Sequence, residues 1–120
     1  MELHGIELLT RDVERLVEFY RMAFCARRED SHGGPDRVEL VFDNKGAGAA
    51  LAITRNEHIP ENGARHLCME IAVANADAHY RFLCDNGIMP LCPPTDLPWG
   101  YRYFGVCDPD GNHISFVSKL

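Results

Sequence analysis

Four side chains of metal-ligand or general-base type, Glu7, His66, Glu70 and His113, sit in stretches where polar and apolar residues alternate. A period of two puts every second residue of a strand on one face. On that parity Gly5, Glu7, Leu9, His66, Cys68, Glu70, His113, Ser115 and Val117 share a surface. Two imidazoles and two carboxylates are a donor set for a transition metal. The same groups can instead be polar residues bonded to one another, to water or to an organic ligand. A carboxylate beside an imidazole can also act as a general base. Cys68 is a nucleophile if His66 lowers its pKa, and otherwise a buried, inert thiol.

A second cluster is aromatic. Trp99, the chain's one tryptophan, precedes Tyr101 and Tyr103. Such rings stack on planar or cationic ligands; against that, Trp99 can plug a sheet end or a dimer contact. Alternation sends Arg102 to the opposite face, with Phe104 and Val106, where an ordinary ion pair is expected. His32, His58 and His79 read as structural or solvated. No Gly-rich phosphate loop is present, and no Ser-His-Asp order with supporting motifs.

The elements that must position these groups can be read in order. Met1 to Thr10 is a strand, and Asp12 caps an amphipathic helix over Arg11 to Arg21, with Val13, Leu16, Val17 and Tyr20 on one face. Ser31 to Pro35 reads as a turn, Arg37 to Asp43 as a strand, Asn44-Lys45-Gly46 as a turn, and Ala49 to Arg55 as a strand. After a linker the pattern recurs. His66 to Val73 is a strand, and Asn75 caps a helix whose shared face is Ala76, His79, Tyr80, Leu83 and Cys84, with Gly87 at its end. Ile88 to Cys92 is a short strand and Pro93 to Pro98 a stiff loop. A hairpin from Trp99 to Val117 turns at Asp108-Pro109-Asp110-Gly111.

The order is thus β-α-β-β-β twice, an α+β fold: a first module at 1–57, a linker at 58–65 and a second module at 66–120. A half of this size cannot bury both faces of a sheet alone. The expected architecture is therefore two sheets forming a curved open cup, with helices on the outer faces. With 46% hydrophobic and 25% charged residues the composition is that of a globular domain. A net charge of -6 with scattered Lys and Arg argues against nucleic acid. The five cysteines lack Cys-x-x-Cys spacing, and three sit in apolar runs as small core residues. The amino end shows no charged-then-apolar leader and no apolar stretch approaches membrane-spanning length, so a reduced, cytoplasmic protein is expected.

Paired β-α-β-β-β modules, an Asp-capped helix carrying Phe19-Tyr20, and Trp99-Gly100 followed by Asp108-Pro109-Asp110-Gly111-Asn112 resemble the vicinal oxygen chelate superfamily. That group holds glyoxalase I, the bleomycin resistance proteins and the extradiol dioxygenases. The resemblance covers essentially the whole chain, and Pro98-Trp99-Gly100 ahead of Asp108-Pro109 is particularly similar to the antibiotic-binding members. It implies one metal ligand on each of four strands, at positions that here hold Gly5, Ala52, His66 and Ser115. Only His66 is of the ligand type, whereas a catalytic metal needs about three protein ligands.

No cofactor is therefore expected at the usual site. A divalent metal held by His66 with Glu7, Glu70 or His113 is the competing arrangement. The favoured reading is a homodimeric, metal-free protein that binds a small organic molecule, cationic or planar aromatic, through Glu7, His66, Glu70, Trp99, Tyr101, Tyr103, His113 and Ser115. Two enzymatic readings stand beside it: a metal-dependent lyase, isomerase or dioxygenase with rewired ligands, and a metal-free enzyme using Glu7, Glu70 or His66 as base.

Overall fold

The structure, a computed structural model, describes residues 5–42, 50–58 and 67–120, with the side chains of 30–33 left aside. His4, the Asn44-Lys45-Gly46 turn, most of the linker and His66 lie outside the described residues. Contacts divide the chain into two compact units, Met1–Gly63 and Ala64–Leu120. Among the described residues each carries one helix and one four-stranded mixed sheet, neither sheet closed.

In the first unit β1 (Gly5–Thr10), α1 (Val13–Ala23), β2 (Arg27–Gly34), β3 (Arg37–Val41) and β4 (Ala50–Arg55) follow in order. The sheet runs β1-β4-β3-β2, with β1 parallel to β4 and the other pairs antiparallel. Asp12 caps α1 by accepting the Arg15 N–H at 3.1 Å. The apolar stripe Val13, Leu16, Val17, Tyr20 and Ala23 is fully buried, together with Leu8, Val38, Leu40, Leu51 and Ile53. These strand residues alternate with Glu7, Glu39 and Ala52, so the sheet has a helix-covered face and an opposite one.

In the second unit β5 (Cys68–Ala72), α2 (Ala76–Asp85), β6 (Thr95–Asp96), β7 (Tyr101–Cys107) and β8 (His113–Lys119) repeat the order. The sheet is β5-β8-β7-β6, again with the first and last strands parallel. Asn75 caps α2 through the Ala78 N–H at 2.9 Å, and Gly87, at φ 83°, ends it in the left-handed region. Leu83, Phe104, Phe116, Ile114 and Val106 form the core, with Phe104 and Phe116 stacked at 5.2 Å. His79 is structural, its ring centroid 4.6 Å from that of Phe116.

Three expectations are corrected. Ser31 to Gly34, read as a turn, belongs to β2; the polar Arg27–Gly34 run forms an edge strand with a register shift between Glu29 and Gly34, so its hydrophobic pattern is silent. The short strand is at Thr95–Asp96, not Ile88 to Cys92, where one backbone bond, Leu91 N–H to the Gly105 carbonyl at 2.8 Å, touches β7. Pro90, Pro93 and Pro94 deny the intervening chain its donors. Finally, no cysteine is buried: Cys25, Cys68 and Cys84 are exposed, Cys92 and Cys107 half-buried. Cys84 does share a helix face with Tyr80, its i,i+4 neighbour, but at the exposed edge; only Ala76 and Leu83 of α2 are buried.

Candidate functional site

The face of the second sheet turned away from α2 gathers most of the sequence-selected residues. Register sets three rows across it: Cys68, His113 and Cys107; Glu70, Ser115 and Gly105; Ala72, Val117 and Tyr103. Tyr101 lies opposite Lys119 at one end. Glu70 and His113 are exposed, while Ser115, Tyr101 and Tyr103 are half-buried. Cys68 Sγ stands 3.6 Å from Ser115 Oγ, so the thiol faces outward beside a hydroxyl and is not the buried group expected. The charge of Cys92, and then its hydrogen bond, hold the Tyr103 phenol above its ordinary pKa. Tyr103 therefore offers a neutral O–H at physiological pH.

The turn that opens and closes this surface is chemically fixed. Asp108 is buried and its Oδ1 accepts the Asp110 and Asn112 N–H groups at 2.9 and 2.8 Å. Asn112 Nδ2 donates to Asp108 Oδ2 at 2.6 Å. Trp99 sits in the turn before β7 and is 69% exposed, so its ring fills no gap within this chain. Arg102 points to the helix side, as alternation requires. Its Nε and Nη2 donate to the two Asp77 oxygens at 2.8 and 3.1 Å, and Nη1 to Asp96 Oδ1 at 2.7 Å. That clamp ties β7 to α2 and β6, and the hydrogen bond from Arg102 holds the Asp77 carboxyl below its ordinary range.

The first sheet has its own polar face, away from α1. Glu7, Ala52 and Glu39 lie in one row across β1, β4 and β3. Arg37 Nη1 donates to Glu39 Oε2 at 3.1 Å, and its Nε stands 3.7 Å from Glu7 Oε2, to which Thr54 Oγ1 donates at 3.3 Å. Beside them is a hollow of about 170 Å³ lined by Gly5, Ile6, Glu7, Arg37, Glu39, Ala50 and Ala52. Sequence reading found Glu7 but not Arg37, Glu39 or Thr54. The available signal was Arg37 and Glu39 two apart on the polar side of β3.

The donors do not fit the metal that the resemblance implies. Gly5 and Ala52 carry no donor, and the Ser115 hydroxyl, a poor ligand for a transition metal, lies beside a thiol. Among the described residues no three His, Cys, Asp or Glu side chains cluster as a metal site. Glu7 lies in the Arg37 cluster, and His66 is outside the described residues.

Comparison with known proteins gives one family and many similar folds. The sequence model of the Glyoxalase/Bleomycin resistance protein/Dioxygenase superfamily matches residues 2–116. A glyoxalase/bleomycin resistance protein/dioxygenase from Nocardioides is 22% identical, with a TM-score of 0.80, over 100% of this chain and 84% of that one. A family enzyme from Burkholderia phytofirmans PsJN is 16% identical, with a TM-score of 0.83, over 100% of both chains. TioX from Micromonospora sp. ML1 is 24% identical, with a TM-score of 0.66, over 98% of both. No functionally curated protein matches the chain.

Proposed function

The chain belongs to the Glyoxalase/Bleomycin resistance protein/Dioxygenase superfamily, and on that premise we propose that it binds a small organic molecule without using the family's metal. The ligand is a planar aromatic or cationic compound held on the open face of the second sheet. The observation that carries this reading is the composition of that face. Tyr103 borders the shallow Ser115 and Gly105 row on one side, with Tyr101 a row beyond it, and the exposed Glu70 carboxylate lies in the same row as Ser115. A flat ring on tyrosines gains stacking, and a cation gains a carboxylate and π faces. The exposed Trp99 adds a ring at the end of β7. Exposed Met89, Leu91 and Trp99 support a homodimer, and five free thiols support a reducing, cytoplasmic setting.

Titration of the purified protein with cationic and planar aromatic compounds, following the fluorescence of its one tryptophan, tests the reading. A saturable change with a rise in Tm is expected. Trp99→Ala, followed by calorimetry, should weaken binding about 2- to 30-fold, as ~0.5–2 kcal/mol of ring–cation attraction is lost. It should leave the Tm of the free protein almost unchanged. No response to any such compound removes the support for sequestration. A stoichiometric transition metal in protein purified without chelator sinks the metal-free part and favours a metal-dependent enzyme of the superfamily.

A further inference from the structure

Two of the ligand positions implied by the family fall on the first sheet, at Gly5 and Ala52. Strand β1 runs parallel to β4 with Gly5 opposite Ala50 and Glu7 opposite Ala52. A Cβ atom added at Gly5 would stand 2.7 Å from the Ala50 carbonyl oxygen and 3.5 Å from its carbon. Even favourable C–H···O contacts settle at about 3.3–3.6 Å. The obstructing atom is backbone held in a ladder, so it cannot swing aside as a side-chain tip can. Gly5 is not at positive φ, so the obstruction is contact and not torsion.

The neighbouring position is occupied in a different sense. Ala52 lies between Glu7 and Glu39, whose strands are each about 4.8 Å from β4. The Arg37 guanidinium bridges these two carboxylates, at 3.7 and 3.1 Å. We infer that the backbone at Gly5 closes that position to a ligating side chain, and that Arg37 serves as the resident cation of this face. Restoring ligating side chains will therefore not restore a metal site. A divalent ion meets a guanidinium already there, and a carboxylate added at position 52 enters between two that Arg37 holds. This inference is independent of the ligand proposed above; a failed drug titration leaves it standing.

The test uses the full chain and four variants: Gly5→Ala, Gly5→His/Ala52→Glu, Ala52→Glu and Arg37→Met/Ala52→Glu. Glycine to alanine in a strand at ordinary φ normally raises Tm by a few degrees. Here it should lower it by roughly 5–10 °C, because overpacking against backbone reverses the sign. Gly5→His/Ala52→Glu should show no one-to-one Co²⁺ binding by calorimetry or visible absorption. If that variant fails to fold, the Gly5→Ala measurement decides. An unchanged or higher Tm for Gly5→Ala, or stoichiometric Co²⁺ on the double variant, overturns the closure. For Arg37, Ala52→Glu alone should not bind Mn²⁺, whereas Arg37→Met/Ala52→Glu should gain a Mn²⁺-dependent rise in Tm. Equal Mn²⁺ responses from the two overturn the resident-cation role.

Discussion

Exchanging one oxygen for an NH₂ group in the β7–β8 turn should disable it, and moving that group across the same hydrogen bond should repair it. In Asp108→Asn the amide oxygen can still accept the Asp110 and Asn112 N–H groups, now made by Oδ1 at 2.9 and 2.8 Å. Its NH₂ must then face Asn112 Nδ2, which now sits 2.6 Å from a carboxylate oxygen. Both residues are buried, at 4% and 5% exposure, so water cannot relieve two opposed donors. Losing a bond to a charged group and leaving a buried donor unsatisfied costs about 2–3 kcal/mol. Asn112→Asp should cost a similar amount by opposing two carboxylates. In Asp108→Asn/Asn112→Asp the donor and acceptor are exchanged and the bond returns. The double variant should lie within about 1 kcal/mol of wild type, so the coupling between the sites is at least about 3 kcal/mol. Urea unfolding at constant m-value, followed by circular dichroism, measures all three. Additive losses, or a single Asp108→Asn cost below about 0.5 kcal/mol, refute the assigned geometry.

Two further outcomes follow from perturbed groups. Asp77 has a folded pKa depressed below 3.8, chiefly by its hydrogen bond from Arg102, so its contribution is present above 3.8 and lost as pH falls through the folded value. Asp77→Asn should therefore be less stable than wild type at pH 7, with the deficit fading on acidification below 3.8; a deficit constant with pH contradicts the pairing. Burial first, and then the Asp108 charge, pushes the Cys107 thiol above 9.0, so iodoacetamide at pH 8 should modify it more slowly than exposed Cys25. Peptide mass mapping checks this, and equal rates contradict it.

Much of the fold was legible because its signals are local. Asp12 and Asn75 cap where their side chains predict, Gly87 ends α2, and the Asp108–Gly111 turn joins two alternating strands. Alternation also placed Tyr101 and Tyr103 on one face and Arg102 on the other, where Asp77 receives it. What failed was long-range. Polar edge strands such as β2 carry no apolar alternation in their sequence to be read, and β6 is two residues long. The Arg37 cluster depends on the pairing of β3 with β4 and β4 with β1, and the closure at Gly5 on the approach of a backbone carbonyl. Neither leaves a periodic trace. The thiols misled because cysteine resembles a small apolar residue in composition but not in position.

The parallel partnership of first and last strands has a consequence for how the chain is made. In each unit the final strand lies inside the sheet: β4 between β1 and β3, and β8 between β5 and β7. The opening strand can bond to nothing in its own sheet until that insertion strand has left the ribosome. Synthesis at about 5–20 residues per second keeps β1 waiting several seconds for Ala50–Arg55, and β5 for His113–Lys119. Each unit should thus close in one late step. Stalling translation just before β8 should leave the second unit protease-sensitive while the first is already resistant.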